Sequence, residues 1–220
     1  MKETGSGGLG YRGVFFDWDG CLADTLALWM DLYRRSLAAR GIHADERSIV
    51  RELFNDWSGP ARFGVEDATA FAGEIIHGLE ERISEVRLAP HARLTLQALK
   101  QCGRTTAILT GAKRSFVEPV LHREGIESAV DLLVCLDDVV KLKPHPEAVD
   151  IALRALDIPR KRAVMVGDST KDIEMGRNAG IATVLYFPEN NRRYYELDRL
   201  QSYHPDYTIC DFRELEKLTG

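Results

Sequence analysis

From about residue 90 to residue 210 the chain alternates short, β-prone apolar runs with stretches of helical periodicity, and that alternation leaves few folds open. The β-prone runs are residues 105–109, 132–135, 163–166, 181–186 and 207–210; the helical stretches are 94–100, ahead of the first of these, and 115–124, 147–156 and 171–178 between successive runs. Strands joined through helices run parallel, so the pattern predicts an α/β fold, a Rossmann-like parallel sheet with helices on both faces. Pro119 falls inside one helical stretch, where a local irregularity is expected. Val14, Phe15 and Phe16 supply one more β-prone run ahead of this block. Residues 26–88 interrupt the alternation with helical patterns alone. Leu26, Trp29, Met30, Tyr33 and Leu37 share one face; Asp45 caps a second run through Ile49, Val50, Leu53, Phe54 and Trp57. Residues 58–64 read as a loop, and residues 66–86 as a third helix through Phe71, Ile75, Ile76, Leu79 and Ile83. Some sixty residues are far longer than the ~2–6 of an ordinary connection from strand to helix. The segment is therefore expected to be a helical cap inserted after the first strand, with residues 12–25 and 89–220 forming the core. Residues 1–11 are Gly-rich and read as a disordered tail. Their formal GxGxxG (Gly5, Gly7, Gly10) precedes the first strand, where a dinucleotide fingerprint would follow one.

The first strand runs straight into Asp17 and Asp19, with Gly20 as a breaker. A strand inside a sheet has little reason to end in carboxylates unless that end opens to solvent, metal or ligand. In an open α/β sheet the carboxyl ends are where ligands bind. Two such carboxylates close together repel, and a divalent cation or a shared proton relieves them. The other strand ends are polar too: Thr110–Gly111 and Gly167–Asp168. Parallel strands bring these groups to one edge. Lys143 stands a few residues ahead of the 147–156 helix, so it and that helix N-terminus can bring positive charge to the same edge. Carboxylates, a hydroxyl with backbone N–H groups, and a lysine are what metal-assisted phosphoryl transfer to an aspartate requires.

The formal charge of −5 over 220 residues argues against a nucleic-acid surface, while a local basic patch for a small anion remains open. No apolar run approaches the ~20 residues of a membrane helix, and no secretory signal is legible, so no membrane role is expected. Cys21, Cys102, Cys135 and Cys210 are scattered without CxxC or Cys/His spacing, which points to a reduced, cytoplasmic setting.

The segments DWDGCLADT, ILTG, KLKPHPE and VGDSTKDIEMGRNAG, in this order, resemble the haloacid dehalogenase superfamily of hydrolases, in the phosphatase branch with a helical cap. The resemblance covers residues 14 to about 210. It implies Asp17 as nucleophile, forming an aspartyl-phosphate, and Asp19 as general acid and then base. Thr110 and the Gly111 N–H would bind the transferring phosphoryl oxygens, and Lys143 would offset their charge. Asp17, the Asp19 carbonyl and Asp168, with Asp172 in support, would surround Mg²⁺, an all-oxygen octahedral site. The implied activity is Mg²⁺-dependent hydrolysis of a small phosphorylated metabolite by a monomer or weak homodimer. A dehalogenase is disfavoured, because that branch lacks the second aspartate present here as Asp19.

A β-phosphoglucomutase-like phosphosugar mutase is the alternative, since its cap carries a Gly-x-x-Arg that Gly59 to Arg62 fits. A bare receiver domain is a third reading, against which the helical insertion and the GDSxxD segment both stand. The cap is expected to set specificity, with Arg62 as the leading substrate-binding candidate and Asn55, Trp57 and His77 behind it. Trp18, between the two aspartates, either walls the leaving-group side or packs against the cap. Arg192 and Arg193 read as a solvated loop.

Overall fold

The computed structural model describes residues 10–54 and 58–219. Six strands form one sheet in the order β3-β2-β1-β4-β5-β6, and every neighbouring pair is parallel. They are β1 (Gly13–Phe16), β2 (Thr105–Leu109), β3 (Leu132–Val134), β4 (Ala163–Gly167), β5 (Ala182–Tyr186) and β6 (Tyr207–Ile209). The nine helices among the described residues are α1 (Leu26–Ala38), α2 (Glu46–Leu53), α3 (Ala68–Arg82), α4 (Ala92–Gln101), α5 (Arg114–Glu124), α6 (Glu147–Ala155), α7 (Thr170–Asn178), α8 (Leu197–Gln201) and α9 (Leu215–Thr219). None is long and apolar enough to cross a membrane.

Alternation along the strands assigns the two faces. Val14 and Phe16 of β1, with Val164 and Val166 of β4, pack on one side with Leu96, Val117 and Leu215 from α4, α5 and α9. Phe15, Ala107 and Met165 pack on the other side with Val149 and Ala152 of α6 and Met175 of α7. The central strands β1 and β4 are apolar on both faces, as a sheet covered by helices on both sides demands.

The expected elements are present, with boundaries moved by a few residues. Residues 58–64 are not open loop: a short 3-10 turn covers Gly59–Phe63, and another covers Glu189–Arg193. Pro119 leaves α5 continuous. The tail assignment ran too far, because Tyr11 is buried in the core, and residues 1–9 lie outside the described residues.

Between β1 and β2 the described residues hold helices and no strand. The chain leaves the sheet and returns to it side by side: Asp24 N–H donates to the Arg87 carbonyl and Ala89 N–H to the Leu22 carbonyl, at 2.9 and 2.8 Å. Asp45 caps α2 by accepting from Ser48 N–H, and Asp67 caps α3 by accepting from Ala70 N–H. Aromatic rings hold the insertion together. Tyr33 stacks on Trp29 and on Phe71, and its ring lies 5.5 Å from that of Phe54.

Candidate active site

β1 is paired on both sides, Phe16 lying level with Ile108 of β2 and Val166 of β4. The next residue, Asp17, still donates its N–H to the Val166 carbonyl, so its backbone is fixed by the sheet. Thr110 and Asp168 follow the ends of the two flanking strands, and the three strand ends converge as their order predicts. Lys143 reaches the same place from the loop before α6. Its Nζ donates to Asp17 Oδ1 at 2.5 Å and to Asp172 Oδ1 at 2.6 Å, with all three side chains at most 10% exposed. Asp172 is held from the far side as well, its Oδ2 accepting from Ser169 Oγ and Ser169 N–H at the start of α7. Asp172 is thus helix cap and lysine partner at once.

One carboxylate oxygen from each of Asp17, Asp168 and Asp172 falls within 4.8 Å of the others, and all three residues are buried. Burial pushes the Asp17 carboxyl up, Asp172 adds to that push, and Lys143 pulls it back without cancelling it. Asp168 is pushed up by burial and then by the charges of Asp17 and Asp172. Burial alone would push the Lys143 ammonium down, but the two carboxylates outweigh it and hold it charged. Asp168 Oδ2 is buried without a hydrogen-bond partner among the described residues. Gly20, at φ +78°, sits so close that a Cβ there would collide with that oxygen. A buried, unpartnered carboxylate oxygen in a cluster with more acid than base fits a hard divalent cation with oxygen ligands.

Asp19 is handled differently. Its Oδ1 accepts from Thr25 Oγ1 and from Trp29 Nε1, both at 2.8 Å, which leaves Oδ2 for a proton. Burial raises its carboxyl, and the bonds from Trp29 and Thr25 lower it only in part. A carboxyl so raised, at the mouth of a cleft, is suited to giving and taking a proton.

Asp17, Asp19, Gly111 and Asp168 line a cleft of about 710 Å³, counting the part open to solvent. Its remaining wall is mostly aromatic and apolar, including Trp29, Tyr33, Phe54, Ile76 and Phe116, with Lys113 as a cation. Thr110 is buried at the end of β2, its Oγ1 accepting from Ala112 N–H. Arg62 is not brought to this cleft: it is exposed on the insertion, where it pairs with Glu52 at 3.1 Å. The glycine that begins its Gly-x-x-Arg has a packing reason of its own, since a Cβ on Gly59 would run into the Glu52 carbonyl. His77 is exposed beside Glu80 and Glu81. Asn55 and Trp57 lie outside the described residues. Trp18 is buried in the core and is not among the residues that line the cleft.

Sequence reading missed Thr25, Trp29 and Tyr195. Thr25 was in view at the end of DWDGCLADT, and a hydroxyl six residues after a carboxylate was the available signal. Trp29 reads as one more apolar residue on a helix face; only the turn out of β1 aims its indole at Asp19. Tyr195 lines the cleft, and its phenol is pushed up by burial and by Asp168. It comes from a stretch whose arginines suggest plain solvent exposure.

The haloacid dehalogenase-like hydrolase family matches residues 14–186. Pyrophosphatase PpaX of Bacillus mycoides is 37% identical over 211 residues, spanning 92% of this chain and 94% of that protein. The N-acetylmuramic acid 6-phosphate phosphatase of Pseudomonas putida is 32% identical over 205 residues, spanning 85% and 90%. The crystal structure of a haloacid dehalogenase-like hydrolase from Bacteroides fragilis superposes with a TM-score of 0.83, at 22% identity and over 93% of this chain and 99% of that one, a likeness of fold. The site on β1, the match across most of the sheet and the two relatives agree: the chain belongs to the haloacid dehalogenase-like hydrolases, in their phosphatase branch.

Proposed function

We propose that this enzyme hydrolyses a small phosphate monoester through an aspartyl-phosphate on Asp17, with Mg²⁺ as cofactor. The observation that carries the reading is the opposed treatment of two carboxylates on one strand end. Asp17 is clamped by Lys143 within the acid cluster, whereas Asp19 is kept protonatable by burial, with one oxygen held by Trp29 and Thr25 and no hydrogen bond from the lysine.

An Asp17 oxygen attacks phosphorus while the bond to the leaving oxygen breaks. Asp19 gives that oxygen its proton, so the departing group leaves as a neutral alcohol. Asp19, now a carboxylate, takes a proton from the water that attacks the aspartyl-phosphate, and Asp17 and inorganic phosphate are released. Lys143 keeps Asp17 in place and offsets charge on the phosphoryl group, which Thr110 and the Gly111 N–H receive. Asp17, Asp168 and Asp172 would hold Mg²⁺, which when bound supplies further neutralisation of phosphoryl charge.

The helical insertion, with its hydrogen-bonded exit and return, acts as the cap over this cleft. The aromatic wall suits a leaving group with an apolar face, such as a sugar ring. The Pseudomonas relative is named for a sugar phosphate monoester, and the Bacillus relative for pyrophosphate. Four unpaired thiols, two of them exposed, suit a reducing, cytoplasmic setting. The mutase alternative loses its local support, because Arg62 is engaged by Glu52 away from the cleft.

The test is phosphate release from a panel of sugar phosphates and aryl phosphates, with Mg²⁺ and then with excess chelator. Release that stops with chelator and returns with Mg²⁺ is expected. Undiminished turnover in chelator removes the cation from the reading, and an isomerised sugar phosphate in place of free phosphate makes the enzyme a mutase.

A further inference from the structure

A second cleft of about 710 Å³, again counting its open part, lies between α2 of the insertion and the start of α7 with α8 on the sheet side. We propose that it is an anion subsite. The substrate is then a phosphate monoester whose leaving group carries a second anionic group, a carboxylate or a further phosphate. This rests on the phosphatase reading above and narrows its substrate class.

Charge is the first observation. Arg47 and Arg51 line the cleft from α2, Lys171 from the first turn of α7 and Arg199 from α8, while Glu196 is the lining acid among the described residues. In a protein of formal charge −5 this is a local reversal of sign, placed in a recess where field is concentrated. The N-terminus of α7 adds partial positive charge, and the acid in its first turn, Asp172, is already engaged by Lys143. Among the described residues the ion pair across the lining is weak: Arg47 and Glu196 stand 3.2 Å apart with side chains 51% and 60% exposed, while Arg51 pairs with Glu52 at 2.8 Å and Lys171 donates to the Phe54 carbonyl. An incoming anion can take Arg47 from Glu196 at little cost. Arg199 makes no ion pair among the described residues. Three of the four cations are arginines, whose planar forks suit carboxylate and phosphate oxygens.

Position is the second observation. Phe54, Ser169 and Tyr195 line both clefts, so the basic recess opens off the reaction cleft rather than lying elsewhere on the surface. A leaving group that rests on the aromatic wall has its far end directed across Phe54 and Tyr195. The cations come from both sides of the cap–sheet junction, so an anion held there also draws the insertion toward the sheet.

Phosphonates that cannot be hydrolysed separate this proposal from the reaction. Calorimetric titration of the full chain with Mg²⁺ would compare alkylphosphonates bearing a terminal methyl, carboxylate or second phosphonate, on spacers of two to four carbons. At the best spacer a second anionic group should tighten binding about tenfold or more, the worth of one charged hydrogen bond. The carboxylate and bisphosphonate arms tell which anion is preferred. Arg199→Gln and Arg47→Gln, both at exposed positions, should each cut that preference at least threefold. Turnover gives the second readout: the ratio of kcat/KM for 3-phosphoglycerate to that for glycerol 3-phosphate should exceed one and fall in both variants. No preference at any spacer, or a preference that survives in both variants, overturns the subsite. Preference without turnover of any ester leaves the subsite standing and overturns the phosphatase reading instead.

Discussion

Asp17 and Asp19 stand two positions apart and face opposite demands. Asp17 is held by Lys143, which it shares with Asp172, and that ammonium opposes the rise that burial gives its carboxyl, as the proposed nucleophile needs. Asp19 has one oxygen taken by two neutral donors, no hydrogen bond from the lysine and a carboxyl raised by burial, which suits the proposed acid and base. Asp17→Asn is therefore expected to form no covalent intermediate at all. Asp19→Asn keeps the nucleophile and loses the acid and the base, each worth about 10²–10⁴-fold. An activated aryl phosphate needs no proton for its leaving group, so in Asp19→Asn its first step suffers less than the second. Phosphoenzyme should accumulate in that variant, read as the mass of one phosphoryl group on the peptide holding Asp17. Label on Asp19, a histidine or a serine would mean the roles are misassigned. Both aspartates, Lys143 and Asp168 are legible in the sequence because each sits at a strand end or before a helix. Trp29 is not legible, because an indole on an apolar helix face looks like core until the chain's turn after Gly20 is known.

At the scale of elements, periodicity marks helices well where one face is apolar, and the insertion's α1, α2 and α3 were readable for that reason. The short helices α8 and α9 were not, having only five residues each and too few positions to show a period. Nor does periodicity reveal what ties one helix to another. In the insertion, Glu74 of α3 accepts from Ser36 Oγ of α1 at 2.5 Å and pairs with Arg40 just beyond α1 at 2.7 Å. Arg40 and then Ser36 hold its carboxyl down at about 2, below the usual 4.5. A carboxyl depressed in the folded state adds stability that is complete above the unfolded value and is lost as pH falls through the folded one. The contribution is thus present at pH 7 and fades between about pH 4.5 and 2. Glu74 is half exposed, so solvent screening limits the effect to at most about 1 kcal/mol. Glu74→Gln should be less stable than the parent by that order in urea titrations at pH 7. The gap should narrow steadily as pH falls from about 4.5 toward 2, and a gap independent of pH would show that the pair contributes packing rather than charge.

For the whole molecule the main conflict is electrostatic and sits where the sheet is most tightly determined. Asp17, Asp168 and Asp172 are buried among strand ends with Lys143 bridging Asp17 and Asp172, and Asp168 Oδ2 has no hydrogen-bond partner among the described residues. Buried charge without compensation costs folding free energy, and a ligand that binds only the folded chain returns it by mass action. Mg²⁺ at a hundredfold over its dissociation constant would add about 2.7 kcal/mol. For a chain of this length that is a rise of roughly 5–10 °C in the melting midpoint, since each kcal/mol moves it by about 2–4 °C. The shift should appear in thermal melts without any substrate and vanish with chelator. Asp168→Asn removes one of the crowded charges and one cation ligand together. Its midpoint without Mg²⁺ should equal or exceed that of the parent, and Mg²⁺ should no longer raise it. An equal Mg²⁺ shift in Asp168→Asn would take Asp168 out of the cation site. A parent chain that ignores Mg²⁺ would leave the three carboxylates to share protons instead, consistent with the raised carboxyls of Asp17 and Asp168.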